Sequence, residues 1–226
     1  MPFFNYGKKL DQKITSKWKL GKQLGSEGKD GYVCEVTNNN EIAAMKIFKN
    51  KKSINKIKKE LDFQKQAALK NIAPPILSDW EITENSKCFV MQKMNRTLLS
   101  IVKEQNNTLN QSQIDRLIEL YTKLTNIKLL HNDPNILKNI MENNNGELFL
   151  IDFGFTEKIT IKNIKVRGPN PNLSLLACLD HTLKTNYFSE LISNYEKKYD
   201  VIIDIKKHMK RKREFRIKRY IDSLNK

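Results

Sequence analysis

Leu148-Phe149-Leu150-Ile151-Asp152-Phe153-Gly154 is the stretch on which the fold turns. Four apolar residues in a row predict a short buried strand, and a carboxylate emerges where that strand ends. Gly154 then lets the chain leave at a sharp angle. A carboxylate at a strand terminus can hold a divalent cation that bridges phosphate oxygens.

Working upstream, Ile140 and Met141 form a second apolar run, separated from the first by the turn-forming residues 143–146. The two runs predict a hairpin. Before it lies Leu129-Leu130-His131-Asn132-Asp133, another carboxylate just after an apolar run. Asp133 and Asp152 are 19 residues apart, and the hairpin consumes most of that length. Both carboxylates are therefore expected at one end of it. One can orient a nucleophilic hydroxyl, while the other, with an amide oxygen, can hold Mg²⁺.

The first third of the chain reads as strands followed by one helix. Partly alternating apolar runs occupy 18–24, 32–37 and 42–48, with two more expected at 76–82 and 88–91. Gly25, Gly28 and Gly31 lie between the first two, where backbone N–H groups can approach phosphates closely. Lys46 sits inside the apolar strand Ala43-Ala44-Met45-Lys46-Ile47, and a bare ammonium there requires a partner. Ile54, Ile57 and Leu61 predict an amphipathic helix over 53–69 with Glu60 on its inward stripe and Asp62 turned away. Glu60 is the expected partner of Lys46.

The rest reads mainly as helix. Ile114, Leu117, Ile118, Tyr121 and Leu124 form one stripe, N-capped by Asn110 or Ser112. Helical patterns resume at 173–183, 188–199 and 201–224. A strand-rich front and a helix-rich back predict an α+β chain of two unlike lobes, divided at residues 1–94 and 95–226.

In this order the features resemble the protein-kinase-like superfamily: glycine-rich loop, strand lysine, helix glutamate, His-x-Asp with a downstream Asn, then Asp-Phe-Gly. Each is weak alone; the five in order carry the resemblance, over residues 18–156. The resemblance implies a bilobal kinase-like fold, with a small antiparallel N-lobe sheet, one αC helix and a truncated, mainly helical C-lobe. It implies an ATP- and Mg²⁺-dependent protein kinase acting on Ser/Thr hydroxyls. Gly25, Gly28 and Gly31 would cover the ATP phosphates, Lys46 would contact them, and Glu60 would orient Lys46. Asp133 would be the catalytic base, with Asn139 and Asp152 as metal ligands. Met91 would be the gatekeeper, with Gln92 to Met94 facing adenine. His131 would be a scaffold residue.

The chain departs from the family pattern in several places. Its glycine loop is G-x-x-G-x-x-G-x-V, one residue longer in the first step. Asn139 falls six residues after Asp133 rather than five, with Lys138 in the usual place and Asn135 as a rival. No Ala-Pro-Glu follows Asp-Phe-Gly, and only 72 residues remain. That short back half resembles minimal kinases of large DNA viruses, bacterial effectors and the kinase subunit of the KEOPS complex. Alternative readings are a small-molecule kinase of the aminoglycoside or choline type, which normally has a larger back lobe, and a KEOPS-kinase-like ATPase associated with nucleic acid.

Composition bounds these readings. The net charge is +16, and residues 205–226 hold ten Lys or Arg against Glu214 and Asp222. Such a block attracts polyanions, nucleic acid or acidic protein, although its apolar positions Ile217, Tyr220, Ile221 and Leu224 also suit a docking helix. No apolar run approaches the ~20 residues of a membrane span, and no secretory-type run is read at the start. Cys34, Cys88 and Cys178 are odd in number and widely spaced, as expected of reduced structural thiols. The expected location is the cytoplasm, or the host cytoplasm or nucleus for a viral protein.

Overall fold

The computed structural model describes residues 10–133 and 135–205. The chain is α+β and divides into two compact units, one ending at Met94 and the other beginning at Asn95.

The first unit opens with α1 (Gln12–Lys17), capped by the Asp11 carboxylate, which accepts the Lys13 N–H at 2.9 Å. Three strands follow in sequence: β1 (Lys19–Leu24), β2 (Gly31–Asn38) and β3 (Glu41–Phe48). After α2 (Ile54–Ala68) comes β4 (Cys88–Gln92), completing an antiparallel sheet in the order β1-β2-β3-β4. The period of two sorts the side chains of β3 onto opposite faces. Ala43, Met45 and Ile47 join Cys34, Val36, Cys88 and Val90 beneath Ile14 and Trp18 of the α1 segment. Ala44 and Phe48 join Phe89 and Met91 against Ile57 and Leu61 of α2. Lys46 belongs to this second face, opposite Val33 and Phe89 in register. Both faces are covered, so β3 reads as a continuous apolar run rather than a clean alternation.

The strand expected at 76–82 is not there. Ile76 makes only an isolated bridge to Met91. Leu77 and Ser78 both donate to the Val90 carbonyl, and Trp80 donates its indole N–H to the Cys88 carbonyl at 3.1 Å. The segment follows β4 through these single bonds. Pro74 and Pro75 contribute no N–H to a ladder, and the doubled donation to Val90 breaks the alternation a ladder needs.

The second unit begins with β5 (Arg96–Thr97), α3 (Leu98–Glu104) and α4 (Gln111–Asn126). Asn110 is the N-cap of α4, closing a reciprocal capping box with Gln113. Next come β6 (Leu129–Leu130), α5 (Ile136–Asn139), β7 (Ile140–Glu142) and β8 (Leu148–Leu150). β7 and β8 form the expected hairpin, with Ile140 opposite Leu150. Beyond it, β9 (Glu157–Lys158) pairs with β6, and the chain continues through α6 (Ile161–Arg167), α7 (Leu173–Leu183) and α8 (Ser189–Tyr199).

Leu173 to Asp180 of α7 are all buried. The Asp180 carboxylate, also buried, accepts the Tyr187 and Phe188 N–H groups at 3.0 and 2.8 Å and the Thr185 hydroxyl at 2.8 Å, which fixes the turn into α8. The helix expected from 201 does not start there. Asp200 is left-handed (φ 49°) and 201–204 are irregular; the Ile203 N–H goes to the Glu196 carboxylate at 2.7 Å. The basic segment 206–226, including its expected docking stripe, lies outside the described residues. Among the described residues no helix is long and apolar enough to cross a membrane.

Candidate functional site

In the first unit the pleat of β3 and the inward stripe of α2 bring Lys46 to Glu60, with Nζ to Oε1 at 2.5 Å. The Glu60 side chain is 1% exposed and that of Lys46 14%. A second lysine shares the carboxylate: Lys52 Nζ lies 2.6 Å from Oε2, with its side chain 7% exposed. Lys52 also reaches Asp30 at 3.5 Å, and it stands 4.6 Å from the centre of the Phe48 ring. Asp62 is exposed, on the opposite side of α2. The sequence reading missed Lys52. It stands with Lys49 and Lys51 just ahead of α2, a pattern that reads as a solvated charge run.

The glycine turn joins β1 to β2. Gly25 has φ +70°, a conformation that L side chains rarely adopt. A Cβ on Gly31 would lie 2.1 Å from the Ile47 carbonyl oxygen of β3, so that glycine is required by strand packing itself. The Gly28 N–H donates to the Gly31 carbonyl at 2.7 Å. Both acids of the turn are ion-paired, Glu27 to Lys49 at 2.5 Å and Asp30 to Lys52. At the end of the unit, Met91 is buried and its sulfur accepts the Gln64 amide at 3.2 Å. Gln92 is exposed with its N–H on the Pro75 carbonyl at 2.9 Å, and Met94 is buried.

In the second unit five contacts shape the segment around Asp133. Leu130 pairs with Glu157 in the β6–β9 ribbon. The His131 imidazole Nε2–H donates to the Ile151 carbonyl at 3.1 Å, while its ring meets the Phe153 ring edge-on at 5.4 Å. The His131 N–H is held by Asn172 Oδ1 at 3.1 Å. The Ile151 N–H donates to the Asn139 carbonyl at 2.8 Å. His131 is fully buried and is thereby a scaffold joining the two aspartate-bearing segments.

Asn132 and Asp152 both adopt left-handed backbone conformations, with φ 61° and 62°. Asn and Asp visit this region more readily than other side chains, and residues held there cluster at functional positions. The Asp133 carboxylate accepts the Asn135 N–H at 2.9 Å. Behind it, the fully buried Tyr121 hydroxyl has its pKa pushed far up, by burial first and by the neighbouring Asp133 charge second.

Asn139 and Asn135, the two candidate metal ligands, differ in setting. Asn135 and Lys138 are exposed, whereas Asn139 is buried, and its amide nitrogen has no hydrogen-bond partner among the described residues. That nitrogen is a donor and cannot bind a cation; only the side-chain amide oxygen of Asn139, one peptide hydrogen bond from the Asp152 segment, is of the hard-donor type a divalent cation takes. Among the described residues no group of three or more His, Cys, Asp or Glu could hold a metal by itself.

Asn172, at the start of α7, was also missed by the sequence reading. It is fully buried and joins three segments: besides accepting from His131, it donates to the Leu129 carbonyl at 2.8 Å and to Thr125 at 2.9 Å. Nothing local signals it, because its partners lie more than 40 residues away.

Beside Asn132 opens a cavity of about 470 Å³, lined also by Glu157, Thr160, Asn163, Arg167 and Ser174. Among the hydroxyl side chains that follow Asp-Phe-Gly, Thr156 and Ser174 are buried, and Thr160 is the N-cap of α6.

Fold and geometry together define an α+β chain of two units, one with a paired lysine–glutamate behind a glycine turn, the other with two aspartates on tethered turns. In comparisons with known proteins, no family model and no curated protein sequence matches this chain.

Proposed function

We propose that this chain is a kinase that transfers the γ-phosphate of ATP to protein Ser/Thr hydroxyls. The observation that carries the reading is the Lys46–Glu60 pair at 2.5 Å, almost sealed from water beside a glycine turn. Lysine on an apolar strand is costly, and a buried pair is weak evidence of stability. Its position between glycine turn and helix suits a cation that meets phosphate oxygens.

In this reading the glycine turn covers the phosphates, Lys46 neutralises their charge, and Glu60 orients Lys46. Asp133 accepts the proton of the acceptor hydroxyl, and His131 holds that segment against Ile151. Asn139 and Asp152 would hold Mg²⁺, which when bound offsets charge on the β- and γ-phosphates. Met91, Gln92 and Met94 would face the adenine.

The cavity beside Asn132 favours one second reading. Its volume, and a lining that mixes Asn132, Glu157, Thr160 and Asn163 with Val166 and Ile203, suit a small hydroxylated acceptor, which would make the chain a small-molecule kinase. Radiolabelled ATP supplied with generic protein substrates separates the two. Label on protein that disappears in Asp133→Ala and Asp152→Ala supports the protein kinase. ATP turnover without labelled protein favours the small acceptor, and no turnover at all removes both.

A further inference from the structure

Two ammonium groups share the single buried carboxylate of Glu60, and this exceeds what one lysine–glutamate pair requires. Lys46 lies 2.5 Å from Oε1 and Lys52 2.6 Å from Oε2. A carboxylate with 1% exposure is strongly disfavoured as a lone charge and is stable only while a cation stays beside it. If Lys46 were its only partner, any anion drawing Lys46 away would leave Glu60 bare. With Lys52 in place, Glu60 stays compensated when Lys46 turns to another partner.

The surroundings fix Lys52 in that role. The buried Lys87 donates to the carbonyls of Asn50 and Lys52 at 2.9 and 3.1 Å, holding the turn that presents it. Phe48 closes the space beneath both ammoniums, 5.4 Å from Lys46 and 4.6 Å from Lys52. The fourth charge is Asp30 of the glycine turn, whose contact with Lys52 is long at 3.5 Å and whose side chain is 44% exposed. Asp30 therefore competes weakly with Glu60 for Lys52.

We infer that Lys52 is a positioning residue for polyphosphate binding: it takes over the charge of Glu60 and so frees Lys46 to engage a phosphate. The inference rests on the proposed nucleotide site and adds to it a second lysine that acts through Glu60.

The test is the affinity of Mg·ATP by calorimetry, with kcat and KM, for wild type, Lys52→Met, Lys52→Arg and Asp30→Asn. Lys52→Met is expected to weaken Mg·ATP binding and raise KM about tenfold, the worth of one charge-assisted contact, with kcat changed far less. Lys52→Arg restores most of the affinity. Asp30→Asn alters an exposed side chain that does not hold the fold, so it reports even if Lys52→Met fails to fold. Removing the competing charge leaves Lys52 wholly to Glu60, and Asp30→Asn binds Mg·ATP a few-fold more tightly. Unchanged affinity in Lys52→Met, or unchanged or weaker affinity in Asp30→Asn, overturns the positioning role while leaving the nucleotide site standing. A wild type that binds no Mg·ATP removes the site itself, and this inference with it.

Discussion

Asparagine supplies much of this chain's backbone versatility. Asn39, Asn71, Asn106, Asn107 and Asn132 all have positive φ, where most side chains clash and a short amide is tolerated. Read as sequence, such residues mark only turns; their backbone sign depends on neighbours that are distant along the chain. Burial at single residues can be tested through pH. Cys88 is fully buried, and desolvation pushes its thiol from 9.0 up to about 12. The raised folded value means the neutral thiol is the stable form in the native protein. Stability from this residue is therefore fully present below about pH 9 and is lost as pH rises toward 12. Denaturant unfolding from pH 8 to pH 11 should show this alkaline loss, diminished in Cys88→Ala. An identical alkaline slope in the variant would assign the loss to other groups.

Elements with a strong period were legible: α2, α4 and the β7–β8 hairpin follow directly from apolar spacing. Elements set by tertiary contacts were not. The 76–82 segment has strand-like composition but spends its donors on Val90 twice, and α6 has no buried residue to give it a stripe. The candidate site divides in the same way. Lys46, Glu60, Asp133 and Asp152 stand in local patterns, whereas Lys52 and Asn172 are identified only by what they touch. Two asparagines at helix starts measure that difference. Asn110→Ala removes a cap and should cost about 1 kcal/mol. Asn172→Ala removes three buried hydrogen bonds and should cost about 3 kcal/mol, with loss of phosphoryl transfer in the fraction that remains folded. Equal costs in chemical denaturation would mean that Asn172 is a cap like any other.

At the scale of the whole molecule, charge and site are separable. Removing residues 206–226 takes away all ten Lys and Arg of the basic block on which polyanion attraction was argued. Retention on heparin, and its steep decline with salt, should fall with that truncation, while undiminished retention would move the polyanion surface elsewhere. The catalytic reading has a different requirement: Mg·ATP binding must depend on Lys46 and on Asp152. Equilibrium titration of Mg·ATP into wild type, Lys46→Met and Asp152→Asn tests this directly. Saturable binding is expected of the wild type, with at least about tenfold weaker binding in each variant, the scale of one lost charge-assisted contact. Wild-type affinity in either variant would contradict the catalytic reading.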